Sequence, residues 1–196
     1  MSDHESTRDR ILDAATQVFA ASGLAGARVD AIAKAAGCNK QLLYHYFGSK
    51  AGLFEAVVLR VLASRPPISL SSQEDVEAQI AESISDIRKK GDWVRMLAWE
   101  ALQSEGCAIA AYSQRKAMLD ESVTEIERGQ QAGIFDKTLP PRFLLLAMMG
   151  MSMIPWLLPQ HVRLLTDLNH DDPAFLDQYG ELLAKLMTKL SKPDAT

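Results

Sequence analysis

Apolar residues recur along almost the whole chain at spacings of three and four, and no alternating β-branched run is long enough for a strand. The pattern predicts an all-α protein. The first helix opens near Ser6 or Thr7, with Asp9 as a weak capping-box partner. It lays Ile11, Leu12, Ala15, Val18 and Phe19 on one stripe and stops at Gly23. A second helix, from about Val29 to Ala36, turns Ile32 and Ala33 inward and ends at Gly37. Asn39 caps a third through its side-chain oxygen, and that helix runs to about Phe47. Ser49 caps a fourth, which carries Leu53, Phe54, Val57, Val58, Val61 and Leu62 and is ended by Arg65-Pro66-Pro67.

The stretch PPISLSSQED marks a boundary and divides the chain into residues 1–65 and 66–196. Beyond it the pattern predicts helices at about 73–90 (Val76, Ile80, Ile84, Ile87), 93–104 and 108–131, separated by Gly91-Asp92 and Gly106. After GIFDKTLPPR come an apolar helix at about 141–158, a short one at 160–168 and a last one at 173–190, followed by a frayed SKPDAT tail. The apolar run Phe143–Leu158 is interrupted by Gly150, Ser152 and Pro155 and falls short of the roughly 20 residues a membrane span needs, so it reads as buried helix. The last helix repeats Leu176, Tyr179, Leu183, Leu186 and Leu190, with Leu182 and Met187 beside them. A seam that wide wants a partner.

Ala33, Gly37 and Leu43 have the spacing of a helix-turn-helix. The small residue lets two helices cross closely, the glycine takes the left-handed turn, and the apolar residue pins the second helix inward. The flanks extend the pattern. VDAIAKAAGCNKQLLYHYFGSKAGLFEAVV, preceded by TRDRILDAATQVFAASGLAGAR, closely resembles the DNA-binding head of TetR-family transcriptional regulators over about residues 7–60. The shared features are a first helix ending F-A-x-x-G, the IA…AG of the second, the LY-x-x-F of the third and the K-x-x-L-F opening the fourth. Beyond residue 65 the resemblance implies a helical architecture and no particular ligand.

With Leu43 and Phe47 inward, Lys40, Gln41, Tyr44 and His45 project from the other face of a helix that fits the major groove. Gln41 suits an adenine edge, Lys40 a guanine edge or a phosphate, and Leu42 a thymine methyl. Asn39 joins this group at the start of the helix, and Tyr44, His45 and Lys50 are placed for phosphates, which position a protein without selecting sequence. Tyr46 is expected to pack. Where many family members cap the second helix with a hydroxyl, this chain has Arg28 and Val29. Arg28 offers a phosphate its charge, and Asp30 only partly offsets the lost cap.

The net charge of −4 looks wrong for a partner of DNA, but residues 1–60 hold seven Lys/Arg against six Asp/Glu, leaving fourteen against nineteen beyond. Nucleic-acid contact belongs to the first third. The polar N-terminus lacks an export signal, so a cytoplasmic protein without membrane contact is expected. The two cysteines, Cys38 and Cys107, give neither a disulfide framework nor metal spacing and read as packed thiols. His161 and His170, with Asp167, Asp171 and Asp172, lie around a helix end, where Asp172 reads as the cap of the last helix. No metal, cofactor or catalytic group is expected.

For the second domain, the resemblance implies a small-molecule pocket and a homodimer. Candidate pocket residues are Trp93, Met96, Trp99, Glu100, Tyr112 and Met118, joined by Met149 and Met153 of the methionine-dense stretch. Each of these also reads as core, and Glu100 as a residue facing solvent. Candidate dimer residues are Leu145, Met149, Tyr179, Leu183, Leu186 and Leu190. The resemblance implies a repressor of a near-palindromic operator, released by a small molecule. Two other classes stay open: a helical protein-interaction module without DNA binding, and an all-α enzyme or carrier.

Overall fold

The computed structural model describes residues 6–65, 68–70, 72, 74–76, 78, 79, 82, 87–103 and 109–190, with the side chains of 87–90 and 188–190 left out. Among them there is no strand. The helices are α1 (Thr7–Gly26), α2 (Val29–Ala35), α3 (Lys40–Phe47), α4 (Lys50–Ala63), α5 (Ile87–Gln103), α6 (Tyr112–Gln131), α7 (Pro141–Leu157), α8 (Pro159–Thr166) and α9 (Pro173–Leu190). Cys107, Gly106, Ile80, Ile84 and the SKPDAT tail lie outside the described residues, as does the side chain of Leu190.

Contacts divide the chain into two compact units. One joins the chain up to Arg65 with Gly91–Arg115, and the other joins Pro66–Lys90 with Lys116 onward. The edge at residue 65 coincides with the boundary read from PPISLSSQED, while the segment 91–115 packs with the head. Sequence pattern could not show this, because it depends on which side chains meet across about thirty intervening residues.

The first unit builds its core where the periodicity placed it. Ile11, Leu12, Ala15 and Phe19 of α1, Ile32 and Ala33 of α2, Leu43 of α3, and Leu53, Phe54, Val57 and Val58 of α4 are all buried. The Phe19 and Phe54 rings meet edge to face at 5.0 Å. Val18, Val61 and Leu62 are half-buried at the margin. Ser6 accepts a hydrogen bond from the Asp9 N–H at 3.2 Å, so the first cap forms as read. Gly23 (φ 67°, ψ −179°) breaks the regular helix, and one further turn follows to Gly26.

Two boundaries differ from expectation. α5 passes through Gly91-Asp92 without a break. An interior glycine costs only about 1 kcal/mol against alanine, and burial of Trp93, Val94 and Met96 just beyond it outweighs that. α6 starts at Tyr112, later than the expected 108, behind Ala111, which adopts a left-handed φ of 51° and accepts from the Arg115 N–H at 2.9 Å.

In the second unit Leu70, Val76, Ile126, Phe135, Leu144, Leu183 and Met187 form the core. Buried Gln130 donates to the carbonyls of Asp136 (2.8 Å) and Leu139 (2.7 Å), which ties down the loop before α7. α7 and α8 meet at 83°, and among the described residues no single helix is long and apolar enough to cross a membrane. Asp172 accepts from the Ala174 N–H at 2.9 Å and so caps α9. The His170 ring lies 4.7 Å from that of Trp156.

Candidate nucleic-acid interface

α2, the turn at Gly37 and α3 form the helix-turn-helix. Gly37 has a φ of 65°, and the turn is closed by hydrogen bonds from the Cys38 N–H to Ala33 (2.9 Å) and from the Gly37 N–H to Lys34 (3.2 Å). α3 has eight residues, too few to be stable alone, and is held at both ends. Asn39 Oδ1 accepts from the Leu42 N–H at 2.8 Å, and Leu43 is wholly buried. Half-buried Phe47 has the Arg8 guanidinium 5.5 Å above its ring.

The opposite side of α3 exposes Lys40, Gln41, Tyr44 and His45, with Leu42 half-buried beside them. Tyr46 corrects the sequence reading: it is 44% exposed, the same as Tyr44. It lies in the last turn, with its ring 5.7 Å from His45 and 6.0 Å from Phe47. A helix of two turns presents too little length for its final residues to be covered.

The charged residues have partners that the sequence did not reveal. Lys40 Nζ lies 2.6 Å from Asp30 Oδ1 and links α3 to α2. Lys50 donates to the carbonyls of Ala25 (3.2 Å) and Ala27 (3.1 Å), and so ties the end of α1 to the start of α4. Its ammonium has three donors, and two are spent on this turn. Arg28 is exposed and makes no side-chain cap for α2, in line with the departure seen in the sequence.

The same turn takes a clamp from α5. Gln103 Oε1 accepts from the Ala25 N–H at 3.0 Å and its Nε2 donates to the Ser22 carbonyl at 3.4 Å, across 78 and 81 residues. A side chain on Gly23 would collide with that amide at 2.6 Å. Arg60 Nη2 reaches from α4 to Asp13 (2.7 Å) and Thr16 (3.2 Å) of α1. No short-range pattern announces Gln103 or Arg60.

The candidate pocket residues fall in both units. In the first, Trp93 and Met96 are buried, Trp99 is half-buried and Tyr112 is exposed. Glu100 does not face solvent: it pairs with Arg115 Nη1 at 2.6 Å and accepts from the Ala110 N–H at 3.1 Å. The Arg65 and Arg115 guanidinium groups each lie 5.6 Å from the Trp93 ring centre. Asp92, one turn before Arg95, has its pKa raised by burial, which the charge of Arg95 partly offsets. In the second unit Met118, Met149 and Met153 are half-buried. A recess of about 270 Å³ there, lined by Ser152, Pro155, Trp156, Phe175, Leu176, Tyr179 and Leu183, is apolar and smaller than an ordinary ligand pocket.

Of the candidate dimer residues, Leu183 is buried in the chain's own core, and Leu145 and Tyr179 pack against that core. Tyr179 also donates to the Met151 carbonyl at 2.7 Å, and burial raises its pKa. Leu186 is 38% exposed, and Leu182, Phe143 and Leu146 are more exposed still.

Comparison with known proteins agrees with this geometry. The family model for bacterial regulatory proteins of the tetR family matches residues 11–57. The model for the tetracyclin repressor-like C-terminal domain matches residues 75–176. The HTH-type transcriptional repressor SCO4008 of Streptomyces coelicolor is 30% identical over 163 residues, which span 83% of this chain and 85% of that protein. The HTH-type transcriptional repressor NicS of Pseudomonas putida is 32% identical over 142 residues, 67% of this chain and 66% of the relative. The crystal structure of SCO4942 from Streptomyces coelicolor shares the fold, with a TM-score of 0.71 at 23% identity over 94% of this chain and 97% of that one. With its capped helix-turn-helix head and its helical remainder both matched in chain order, the chain belongs to the TetR family of DNA-binding transcriptional regulators, a family without enzymatic activity.

Proposed function

We propose that the protein is a dimeric repressor that binds a near-palindromic operator through α3 and is released from it by a small molecule. The observation that carries the DNA contact is the two-sidedness of α3. Leu43 and the Asn39 cap hold the helix, which leaves Lys40, Gln41, Tyr44 and His45 free of structural duty toward the core. Gln41 reads an adenine edge, Arg28 and Tyr44 meet phosphates, and Lys50 contributes mainly by holding the α1–α2 turn against them. Repression is supported by the relatives SCO4008 and NicS, both named repressors.

Pairing through α7 and α9 is supported by the apolar side chains they leave outside, among them Phe143, Leu146, Leu182 and Leu186. Two heads related by a two-fold axis meet successive major grooves roughly 34 Å apart, which makes the operator palindromic. An effector that weakens DNA binding is itself weakened equally by DNA.

Selection of bound duplexes from a random pool tests the reading. The expected product is an inverted repeat, and Gln41→Ala relaxes the preference at one position in each half-site by about 1–3 kcal/mol. A pool that stays random, or an unchanged preference in Gln41→Ala, overturns the assignment.

A further inference from the structure

The one cation in the first turn of α3 is paired with an acid rather than left open to DNA. Lys40 Nζ lies 2.6 Å from Asp30 Oδ1, and the two side chains are 51% and 58% exposed. A pair so wet contributes only about 0–1 kcal/mol to stability. Asp30 also stands in the first turn of α2, whose N-cap Arg28 gives no side-chain hydrogen bond. A carboxylate there would ordinarily serve the orphan N–H groups of that turn. Here it turns across to α3.

Beside a polyanion the pair has a larger consequence. Each ammonium that neutralises a phosphate releases counterions and adds about 0.9 to the slope of log affinity against log salt. An ammonium already held by a carboxylate can do so only by leaving it, and the stranded Asp30 charge then faces the duplex. That cost is the same on every sequence. A guanine edge at the right position repays it with two acceptors, O6 and N7, whereas an arbitrary sequence offers Lys40 only phosphate.

We infer that Asp30 is a specificity-determining residue, which withholds the Lys40 charge from phosphates and so lowers affinity for arbitrary DNA more than for the operator. It acts through Lys40 as a positioning residue. The inference rests on α3 being the DNA-reading helix, and it adds that an acid on the neighbouring helix sharpens what α3 reads.

The test measures binding of the full-length protein to the selected operator and to a scrambled duplex over a range of salt concentrations. It compares the wild type with Asp30→Asn, Asp30→Glu, Lys40→Ala and the Asp30→Asn/Lys40→Ala double variant. Asp30→Asn is expected to bind the scrambled duplex about two- to fivefold more tightly, with a salt slope steeper by about one, while gaining less on the operator. Asp30→Glu keeps the wild-type ratio, and in the Lys40→Ala background the change at residue 30 leaves the slope alone. Equal gains on both duplexes, or a steeper slope that persists without Lys40, would mean simple loss of repulsion and overturn the inference. If Asp30→Asn melts early, Lys40→Gln carries the test: it must lose more on the operator than on the scrambled duplex, and an equal loss overturns the inference. Failure of the wild type to bind any duplex is a different result and removes the DNA-reading assignment itself.

Discussion

In the head, α1 to α4 close around side chains such as Ile11, Leu12, Phe19, Ile32, Leu43, Leu53, Val57 and Val58, none of them more than 0% exposed, although α2 and α3 have only seven and eight residues. Among its described residues the large apolar side chains left outside are Tyr44 and Tyr46, and both carry hydroxyls. The second unit has longer helices and leaves Phe143, Leu146, Leu164 and Leu165 more than 60% exposed, at 71%, 64%, 79% and 82%. Short helices need many neighbours, and the head supplies them internally, so its outer face is free to be polar. Long amphipathic helices stand with fewer neighbours and keep apolar surface for another partner.

The largest effect should come from treating a core residue as if it were interface. Leu183→Asp puts an unpaired carboxylate against Ile126, Phe135 and Met187, at a cost of several kcal/mol, and the second unit is expected to lose its cooperative melting transition. An unchanged thermal scan would place Leu183 outside the core. Leu186→Glu, at a position 38% exposed, should leave melting of the isolated chain nearly intact while raising the dimer dissociation constant about tenfold or more, read by sedimentation. A dimer of undiminished strength would take Leu186 out of the contact and weaken the contrast between the two regions.

Within the first unit, Gln103→Ala removes two hydrogen bonds to the α1 turn. A loss of about 1 kcal/mol is expected, with faster hydrogen exchange at the Ala25 amide. Exchange at the wild-type rate would show that Lys50 holds the turn alone. The smallest effect is expected at Asp92. Its folded-state pKa is raised, so folding favours its protonated form, and that contribution is lost as pH rises through the folded pKa. Asp92→Asn should therefore raise the melting temperature slightly at neutral pH. The gain should vanish at pH values below the aspartate range, where the wild-type carboxyl is already protonated.

The residues that could be read correctly share a property. Ser6, Asn39, Ser49 and Asp172 act on N–H groups two or three positions onward, and each caps the helix its spacing suggested. The misreadings involve longer reach. Gly91-Asp92 resembles a local stop, but the packing of Trp93 and Met96 carries the helix through it. Glu100 looked free because its partner Arg115 is fifteen residues away, and Lys50 looked available for phosphate because the carbonyls it holds belong to a turn more than twenty residues earlier. Tyr46 was assigned by period alone, which does not register that α3 ends too soon to be covered.

Periodicity, caps and the Gly37 turn determined, from sequence alone, the all-α class, the helix-turn-helix and the face of α3 that looks outward. These depend on backbone geometry within a few residues, where sequence and structure are nearly the same information. The tertiary structure decided which side chains are spent: Lys40 on Asp30, Lys50 and Gln103 on the end of α1, and Leu183 on the core. Long polar side chains choose among partners that only the packed chain brings within reach, and an aliphatic side chain serves a core or an interface according to what lies opposite.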